Sequence, residues 1–325
     1  MSEAGYWLVA DVGGTNARFA LVDGPDGTPF NVRSLPTRGH SGLAEAAAAY
    51  LARYAPEAEP VAACLAVAGP VGDGTFHLTN AGWPRTSAEA VRTRLGLPHL
   101  EVVNDFEALA LSLPRLGADD LVFIGDERPA AGGPRAVVGP GTGLGVAGLV
   151  PAPSGWVPLP GEGGQVDVPP ATDREVEVTR LLRAEKGAAT AEYLLCGAGL
   201  ARIHRYLALI DGAPVRVRTA EQISENRDDP LCREALEMFC ALLGSLAGNV
   251  ALTLGARGGV YLGGGILPRI VDVLRGSAFR ARFEGKPPVE DYLRAIPTAL
   301  IVHPAPALAG ATVRLAQSLP HLEPA

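Results

Sequence analysis

The sequence is poor in the residues that bind nucleic acids, cross membranes or direct secretion. Basic residues number 28 against 35 acidic residues, and the net charge of −7 argues against a nucleic-acid partner, whose phosphate backbone requires a basic surface. No uninterrupted apolar run approaches the ~20 residues of a membrane helix, and the first residues lack the basic and apolar regions of a secretion signal. We therefore expect a cytoplasmic protein that binds neither nucleic acid nor membrane.

Cysteine and histidine are also few. The four cysteines are scattered without CxxC spacing, and the histidines lack the grouped spacing of a metal site. This pattern favours reduced, packed thiols over disulfides or zinc ligation.

Hydrophobic content and length, in contrast, are ample. At 325 residues and 47% hydrophobic, the chain exceeds the size at which one core usually stops growing, so two domains with a cleft between them are expected. We predict a small α/β domain over 1–114, with 306–325 packing back onto it, and a large α/β domain over 115–305.

Two glycine- and threonine-rich loops are the most informative feature. They are Gly13-Gly14-Thr15 and Gly141-Thr142-Gly143, and apolar, strand-like runs lie on both sides of each. Glycine allows the backbone to turn and approach a ligand closely, so that successive N–H groups converge on anionic oxygens. A Walker loop or a Rossmann turn leads from a strand into a helix, whereas these flanks predict strand, turn, strand. Ordinary glycine hairpins are the alternative, but the repetition favours phosphate binding and suggests a duplicated domain plan.

Neither loop contains lysine. Charge compensation for a nucleotide would therefore come from backbone dipoles and a metal ion. Asp11, at the end of the first strand, is the natural carboxylate to hold a hydrated Mg²⁺.

Local patterns predict alternating strands and helices. A helix over 43–54 has Ser41 as its expected cap, and Ser87 precedes another helix that ends near Leu95. Continuous apolar runs that end at glycine indicate buried strands. The further predicted segments are strands over 61–68, 100–103 and 297–302, a strand and glycine turn within 258–266, and helices over 106–113, 174–186, 232–254 and 308–319.

Asn104 and Asp105 lie at the end of the strand over 100–103. Ligands in open α/β sheets gather beyond the carboxyl ends of strands, which makes this pair a candidate for catalysis. Both residue types are also good helix caps, so capping of the following helix is the alternative interpretation.

These residues resemble the actin-hexokinase-Hsp70 superfamily, and within it the bacterial glucokinase family. The similarity runs in family order over nearly the whole chain, which makes it more specific than either loop alone. The motifs that carry it are Asp11 to Arg18, Thr79-Asn80 with Trp83, Val103 to Phe106, Gly139 to Gly145, Leu159 to Gly164, Leu182 to Glu185, Ala191-Glu192, and Gly259 to Gly265 with Pro268-Arg269.

The resemblance implies a two-domain, actin-like ATPase or ribonuclease H-like α/β fold with an interdomain active-site cleft. It implies ATP and Mg²⁺ as cofactors, glucose phosphorylated at its 6-hydroxyl, and a homodimer. Asp105 matches the catalytic base, since a sugar hydroxyl needs a proton acceptor as the O–P bond forms. The implied sugar ligands are Asn104, Glu162 and Glu192. Gln165 and Asn80 are further candidates to bind the sugar, with ordering of its own loop as the alternative for Asn80. The implied nucleotide ligands are Asp11, which also holds the metal through water, with Gly13, Gly14, Thr15, Asn16, Gly141, Thr142, Gly143, Gly264 and Gly265.

Gln165 departs from the family pattern, which has histidine at this position. Glutamine keeps a donor and an acceptor but cannot become cationic, so we expect phosphorylation to survive with an altered sugar ranking or affinity. A kinase for another hexose or an amino sugar stays open for this reason. A non-catalytic sugar sensor on the same scaffold is the alternative from a different class, and the presence of Asp105 argues against it.

Overall fold

The computed structural model describes residues 5–125 and 133–319. Within them, the strands are β1 Trp7–Val12, β2 Asn16–Val22, β3 Phe30–Pro36, β4 Ala62–Val67, β5 Val71–Gly72, β6 Thr75–Phe76, β7 Thr86–Ser87, β8 His99–Asn104, β9 Leu121–Phe123, β10 Arg135–Pro140, β11 Leu144–Ala152, β12 Gly155–Gly161, β13 Val260–Leu262 and β14 Thr298–Ile301. The helices are α1 Leu43–Tyr54, α2 Ala88–Leu95, α3 Asp105–Ser112, α4 Asp173–Lys186, α5 Gly197–Ile210, α6 Ala220–Glu225, α7 Pro230–Leu254, α8 Val271–Gly276, α9 Phe279–Glu284, α10 Glu290–Arg294 and α11 Pro306–Ser318.

The described residues form two compact units. One unit takes those within 1–117 and 303–325, and the other takes those within 118–302.

The first unit is built on a five-stranded sheet with the order β3-β2-β1-β4-β8. β1 is antiparallel to β2, whereas β1, β4 and β8 are mutually parallel, and their last residues Val12, Val67 and Asn104 are in register. The segments that follow these three strands therefore leave the sheet at the same edge.

Alternate residues of β1 enter two different cores. Leu8 packs with apolar residues of α1 on one face of the sheet, and Val9 packs with Leu308 and Leu315 of α11 on the other. This alternation is expected of a strand covered by helices on both sides.

The packing of α3 against α11 is unusually close at Gly310. A Cβ atom there would overlap the carbonyl oxygen of Ala108 in α3 and lie 2.6 Å from its carbonyl carbon. Only glycine fits at this crossing. The helix packed there, α3, is the one that begins at Asp105.

The second unit is built on a six-stranded sheet with the order β12-β11-β10-β13-β14-β9. β10 is antiparallel to β11 and parallel to β13, and β13 is parallel to β14. The hairpin followed by parallel strands repeats the plan of the first unit, as the two similar loops predicted.

The long helix α7 fills the core of the second unit. It is the one helix of the described chain that is long and apolar enough to cross a membrane, and 78% of its most apolar stretch is buried. That burial is typical of a core helix in a large domain.

Most predicted elements occur within a few residues of their expected bounds, and Ser87 caps α2 by accepting a hydrogen bond from the Ala90 N–H. The cap predicted for α1 was wrong. Gly42, not Ser41, is the N-cap, because the chain stays extended through Gly42 and the helix begins directly after it. All four cysteines are buried free thiols, as predicted.

Candidate active site

The first phosphate loop joins β1 to β2 and is anchored by Thr37. The Gly13 N–H donates to the Asn16 carbonyl at 2.9 Å. The Thr37 hydroxyl donates to the Gly14 carbonyl at 2.8 Å, and the Thr37 N–H donates to the Thr15 carbonyl at 2.9 Å. The Gly14 carbonyl and the Thr15 N–H belong to the same peptide unit, and in a planar trans peptide they point in opposite directions. Because the Gly14 carbonyl accepts from Thr37, the Thr15 N–H points away from Thr37.

Asn80 lies directly on this loop. A Cβ on Gly14 would be 2.5 Å from the Asn80 Cβ, so the close approach requires glycine. Asn80 belongs to a short 3-10 turn, Thr79–Ala81, and its side chain is exposed. A predicted sugar ligand and a predicted phosphate loop are therefore neighbours within the first unit.

Asp11 is half-buried one residue before the end of β1. It pairs across the sheet with Arg18, whose guanidinium donates to the Pro304 carbonyl at 2.9 Å. Burial raises the pKa of Asp11, and the charge of Arg18 opposes that shift. A nearby cation would offset the same desolvation penalty.

Asn104 caps α3. Its Oδ1 accepts from the N–H groups of Phe106 at 2.9 Å and Glu107 at 3.4 Å, and its Nδ2 donates to the Gly69 carbonyl at 3.1 Å. The capping interpretation of Asn104 is thus confirmed. Its second amide N–H is the donor that these three bonds do not use.

Asp105 is the first residue of α3 and is half-buried. Its Oδ1 accepts from the Phe106 N–H at 3.0 Å. The positive end of the helix dipole favours an ionised carboxylate at this position. Since β1 and β8 end in register on either side of β4, Asp105 follows the sheet at the same edge as the first phosphate loop.

The second phosphate loop joins β10 to β11 and is closed on itself. The Gly141 N–H donates to the Gly143 carbonyl at 2.8 Å, and the Gly197 N–H at the start of α5 donates to the Gly141 carbonyl at 3.0 Å. The Leu144 N–H, at the end of the loop, donates to Glu192 Oε2 at 2.9 Å.

Three predicted sugar ligands lie beside this second loop. Gln165 Nε2 donates to Glu192 Oε1 at 3.0 Å, and the backbone of Glu162 pairs with Val146 near the start of β11. Glu192 is half-buried, whereas the other two side chains are exposed. A Cβ on Gly164 would overlap the Leu144 carbonyl oxygen, so the 3-10 turn Gly163–Gln165 is pressed against the loop.

The glycine turn after β13 also packs on the second loop. Gly264 has a φ of +85°, and a Cβ there would overlap the carbonyl oxygen of Pro140. Gly265, next to it, is exposed, with nothing within 4 Å of a Cβ position. The predicted nucleotide residues of the second unit are thus brought together.

Several contacts of these loops were not predicted from the sequence. Thr37 belongs to none of the sequence motifs. Leu144 contributes its backbone N–H, and the residue type gives no indication of that contact. Among residues 5–125 and 133–319 no cluster of three or more histidine, cysteine or acidic side chains is arranged to hold a metal ion.

Comparison with known proteins gives a consistent result. The Glucokinase family model matches residues 8–318. The glucokinase of Aromatoleum aromaticum is 45% identical over 315 residues, which are 96% of this chain and 95% of that protein.

Solved structures agree with the family match and confirm the predicted fold class. A glucokinase from an Antarctic psychrotroph has a TM-score of 0.87 at 36% identity, covering 97% of this chain and 99% of its own. A ROK family glucokinase from Streptomyces griseus, in complex with glucose and AMPPNP, has a TM-score of 0.66 at 21% identity, covering 95% and 98%.

Proposed function

The chain belongs to the glucokinase family, and from this membership we propose that it transfers the γ-phosphoryl group of ATP to the 6-hydroxyl of glucose. The observation that carries the proposal is the place of Asp105, a carboxylate at a helix start on the sheet edge that also carries the first phosphate loop.

Asp105 acts as the general base in this proposal. A sugar hydroxyl attacks phosphorus well only when its proton is accepted as the O–P bond forms, and an ionised carboxylate within hydrogen-bond reach does this. One oxygen of Asp105 is already held by the Phe106 N–H. That bond helps to hold the carboxylate in place at the start of α3, where it accepts the proton of the sugar hydroxyl.

Backbone N–H groups of the two loops bind the phosphates. Donors fixed before the reaction stabilise the charge that develops on the moving phosphoryl group without reorganising. Thr37 supports this role, because its hydrogen bonds to the Gly14 and Thr15 carbonyls orient the first loop. In that orientation the Thr15 N–H points away from Thr37.

The residues present suit a hydrated Mg²⁺. This ion keeps several waters and is usually held by one or two carboxylates together with substrate phosphates, so a single carboxylate such as Asp11 is sufficient. When bound, Mg²⁺ neutralises charge on the phosphate oxygens. Replacing Asp11 by Asn should raise the Mg²⁺ concentration needed for half-maximal rate, whereas Asp73→Asn, at an exposed turn, should leave it unchanged.

Asn80, Asn104, Glu162, Gln165 and Glu192 bind the sugar in this proposal. Carboxylates can accept from several hydroxyls at once, and the amides add donors. Gln165 favours a second candidate, a kinase with a shifted hexose or amino-sugar preference, since its amide already donates to Glu192 Oε1.

We propose that the enzyme works in the cytoplasm as a homodimer. Sedimentation of the purified protein tests the homodimer.

The experiment is a coupled assay of the purified protein with a panel of hexoses and with ATP, ADP or polyphosphate as donor. Glucose and ATP should give the highest kcat/KM. Asp105→Asn keeps a side-chain acceptor for the Phe106 N–H but cannot act as the base, so turnover should fall by about 10²-fold or more.

Glu107→Gln is the matched control, because it removes a charge of the same sign from the same helical turn. It should retain most of the activity. Turnover near normal in Asp105→Asn would remove Asp105 from the role of base, and phosphorylation of no hexose by the parent protein would end the proposal.

A further inference from the structure

Glu192 belongs to two predicted sites at once. As a predicted sugar ligand it accepts from Gln165 through Oε1 at 3.0 Å, and it also accepts from the Leu144 N–H of the second phosphate loop through Oε2 at 2.9 Å. The two oxygens of one carboxylate therefore connect the sugar ligands to the nucleotide loop.

The same segment of chain holds the second loop at its other end. The Gly197 N–H, five residues after Glu192, donates to the Gly141 carbonyl at 3.0 Å. Between the two attachments, a Cβ on Gly143 would lie 2.6 Å from Glu192 Oε2. The loop therefore has little freedom to move while the Glu192 carboxylate keeps its position.

We propose that Glu192 is a positioning residue that couples sugar binding to nucleotide binding through the Leu144 N–H. This inference rests on the proposed function, because it takes Glu192 as a sugar ligand. A carboxylate oxygen can accept more than one hydrogen bond, so sugar hydroxyls can bind Glu192 without displacing Leu144 or Gln165.

The direction of the effect follows from the ordering of the loop. A bound sugar fixes the Glu192 side chain, which fixes the Leu144 N–H and the loop before the nucleotide arrives. The nucleotide then loses less conformational freedom on binding, so its affinity rises, and by linkage the sugar affinity rises by the same factor. The coupling is worth about one net hydrogen bond, so we expect a factor of about five.

Gln165 contributes no titratable group to this connection. The amide donates to Glu192 in one charge state, whereas a histidine would change its charge near neutral pH.

The test measures the dissociation constant of AMPPNP by calorimetry with and without saturating glucose, so that no turnover occurs. The parent protein should bind AMPPNP about fivefold more tightly when glucose is present. Glu192→Ala should reduce this factor to about one.

Glu162→Ala is the matched control. It also removes a predicted sugar-binding carboxylate, but the side chain of Glu162 is exposed and its backbone makes the contact with β11. It should weaken glucose binding and keep the coupling factor.

A second variant keeps the test decisive if Glu192→Ala misfolds or cannot be saturated with glucose. In Gly143→Ala the added methyl group displaces Glu192 Oε2 from the Leu144 N–H while the carboxylate charge is kept, and it too should lose the coupling. Full coupling in both variants, equal loss in Glu162→Ala, or no coupling in the parent protein would overturn the inference. Turnover is measured separately, so a protein that fails to phosphorylate any hexose contradicts the proposed function instead.

Discussion

Replacement of Gly310 by alanine tests whether the close crossing of α3 and α11 fixes the place of Asp105. A Cβ at 310 would overlap the Ala108 carbonyl oxygen and lie 2.6 Å from its carbonyl carbon and 3.1 Å from the Ser112 nitrogen. Carbon atoms in contact are ordinarily ~3.5 to 4 Å apart, so the carbon contact alone requires the helices to separate by roughly 1 Å, and the overlap with the oxygen requires more. The obstacle is backbone, which cannot rotate away as a side chain could.

The cost has two opposing parts. Overpacking of a close-packed core typically costs ~1 to 3 kcal/mol, and a backbone obstacle places Gly310→Ala at the upper end of that range. Removing glycine from a helix interior returns up to ~1 kcal/mol. We expect a net loss of about 2 kcal/mol in the free energy of unfolding, because α11 would also lift the buried Leu308 and Leu315 from the sheet.

Activity should fall as well, since Asp105 is the first residue of α3. A displacement of ~1 Å at a reacting group can cost on the order of 10²-fold in rate. The assays are urea unfolding followed by fluorescence and steady-state kinetics with glucose and ATP. kcat should fall more than the affinity for ATP.

Gly276→Ala is the matched control, because Gly276 is also helical and a Cβ there meets nothing within 4 Å. It should be neutral or slightly stabilising. An unfolding midpoint and a turnover number for Gly310→Ala that match those of the parent protein would refute the reasoning, since the helices would then have tolerated the methyl group without moving.

Three further outcomes are expected. Gln165→His should change the ranking of hexoses by KM more than it changes kcat for glucose, and a hexose panel with unaltered KM values would contradict this. Arg282→Met should cost about 3 to 5 kcal/mol in urea unfolding, because it strands the buried Glu175 carboxylate without its bidentate partner. Burial lowers the pKa of His204, so the folded state resists its protonation, and stability should decline as the pH falls below about 6.5. His204→Phe should show a shallower decline in unfolding midpoint over the same pH range, and an identical decline would assign the effect to other groups.

Strong local patterns predicted much of the fold. α7 is long and apolar, and its expected start at Cys232 lies two residues from the observed start at Pro230. α5 was missed, because it begins Gly197-Ala198-Gly199 and glycine lowers helix propensity. Tertiary packing decides this helix, since Leu200, Ile203 and Leu207 are buried in the core of the second unit.

The acidic residues predicted as ligands could be named from the sequence, but their partners could not. Glu192 and Leu144 are 48 residues apart, and the donor is a backbone N–H that any residue other than proline would supply. Sequence similarity can suggest that Glu192 binds a sugar, whereas its hold on the second phosphate loop depends on where β11 and the turn Ala191–Tyr193 come together.

Asn104 and Asp105 show how two interpretations that compete in a sequence can be compatible in a fold. Capping by Asn104 fixes the residue at which α3 begins, and it ties that start to Gly69 after β4. Asp105 is thereby held at the first helical position, where the free N–H groups of the helix end favour a negative charge. A cap moved by one residue would turn the Asp105 side chain by about 100° around the helix axis, since the helix has 3.6 residues per turn. Capping by Asn104 is therefore a condition for the proposed role of Asp105 as the base, and it is no argument against that role.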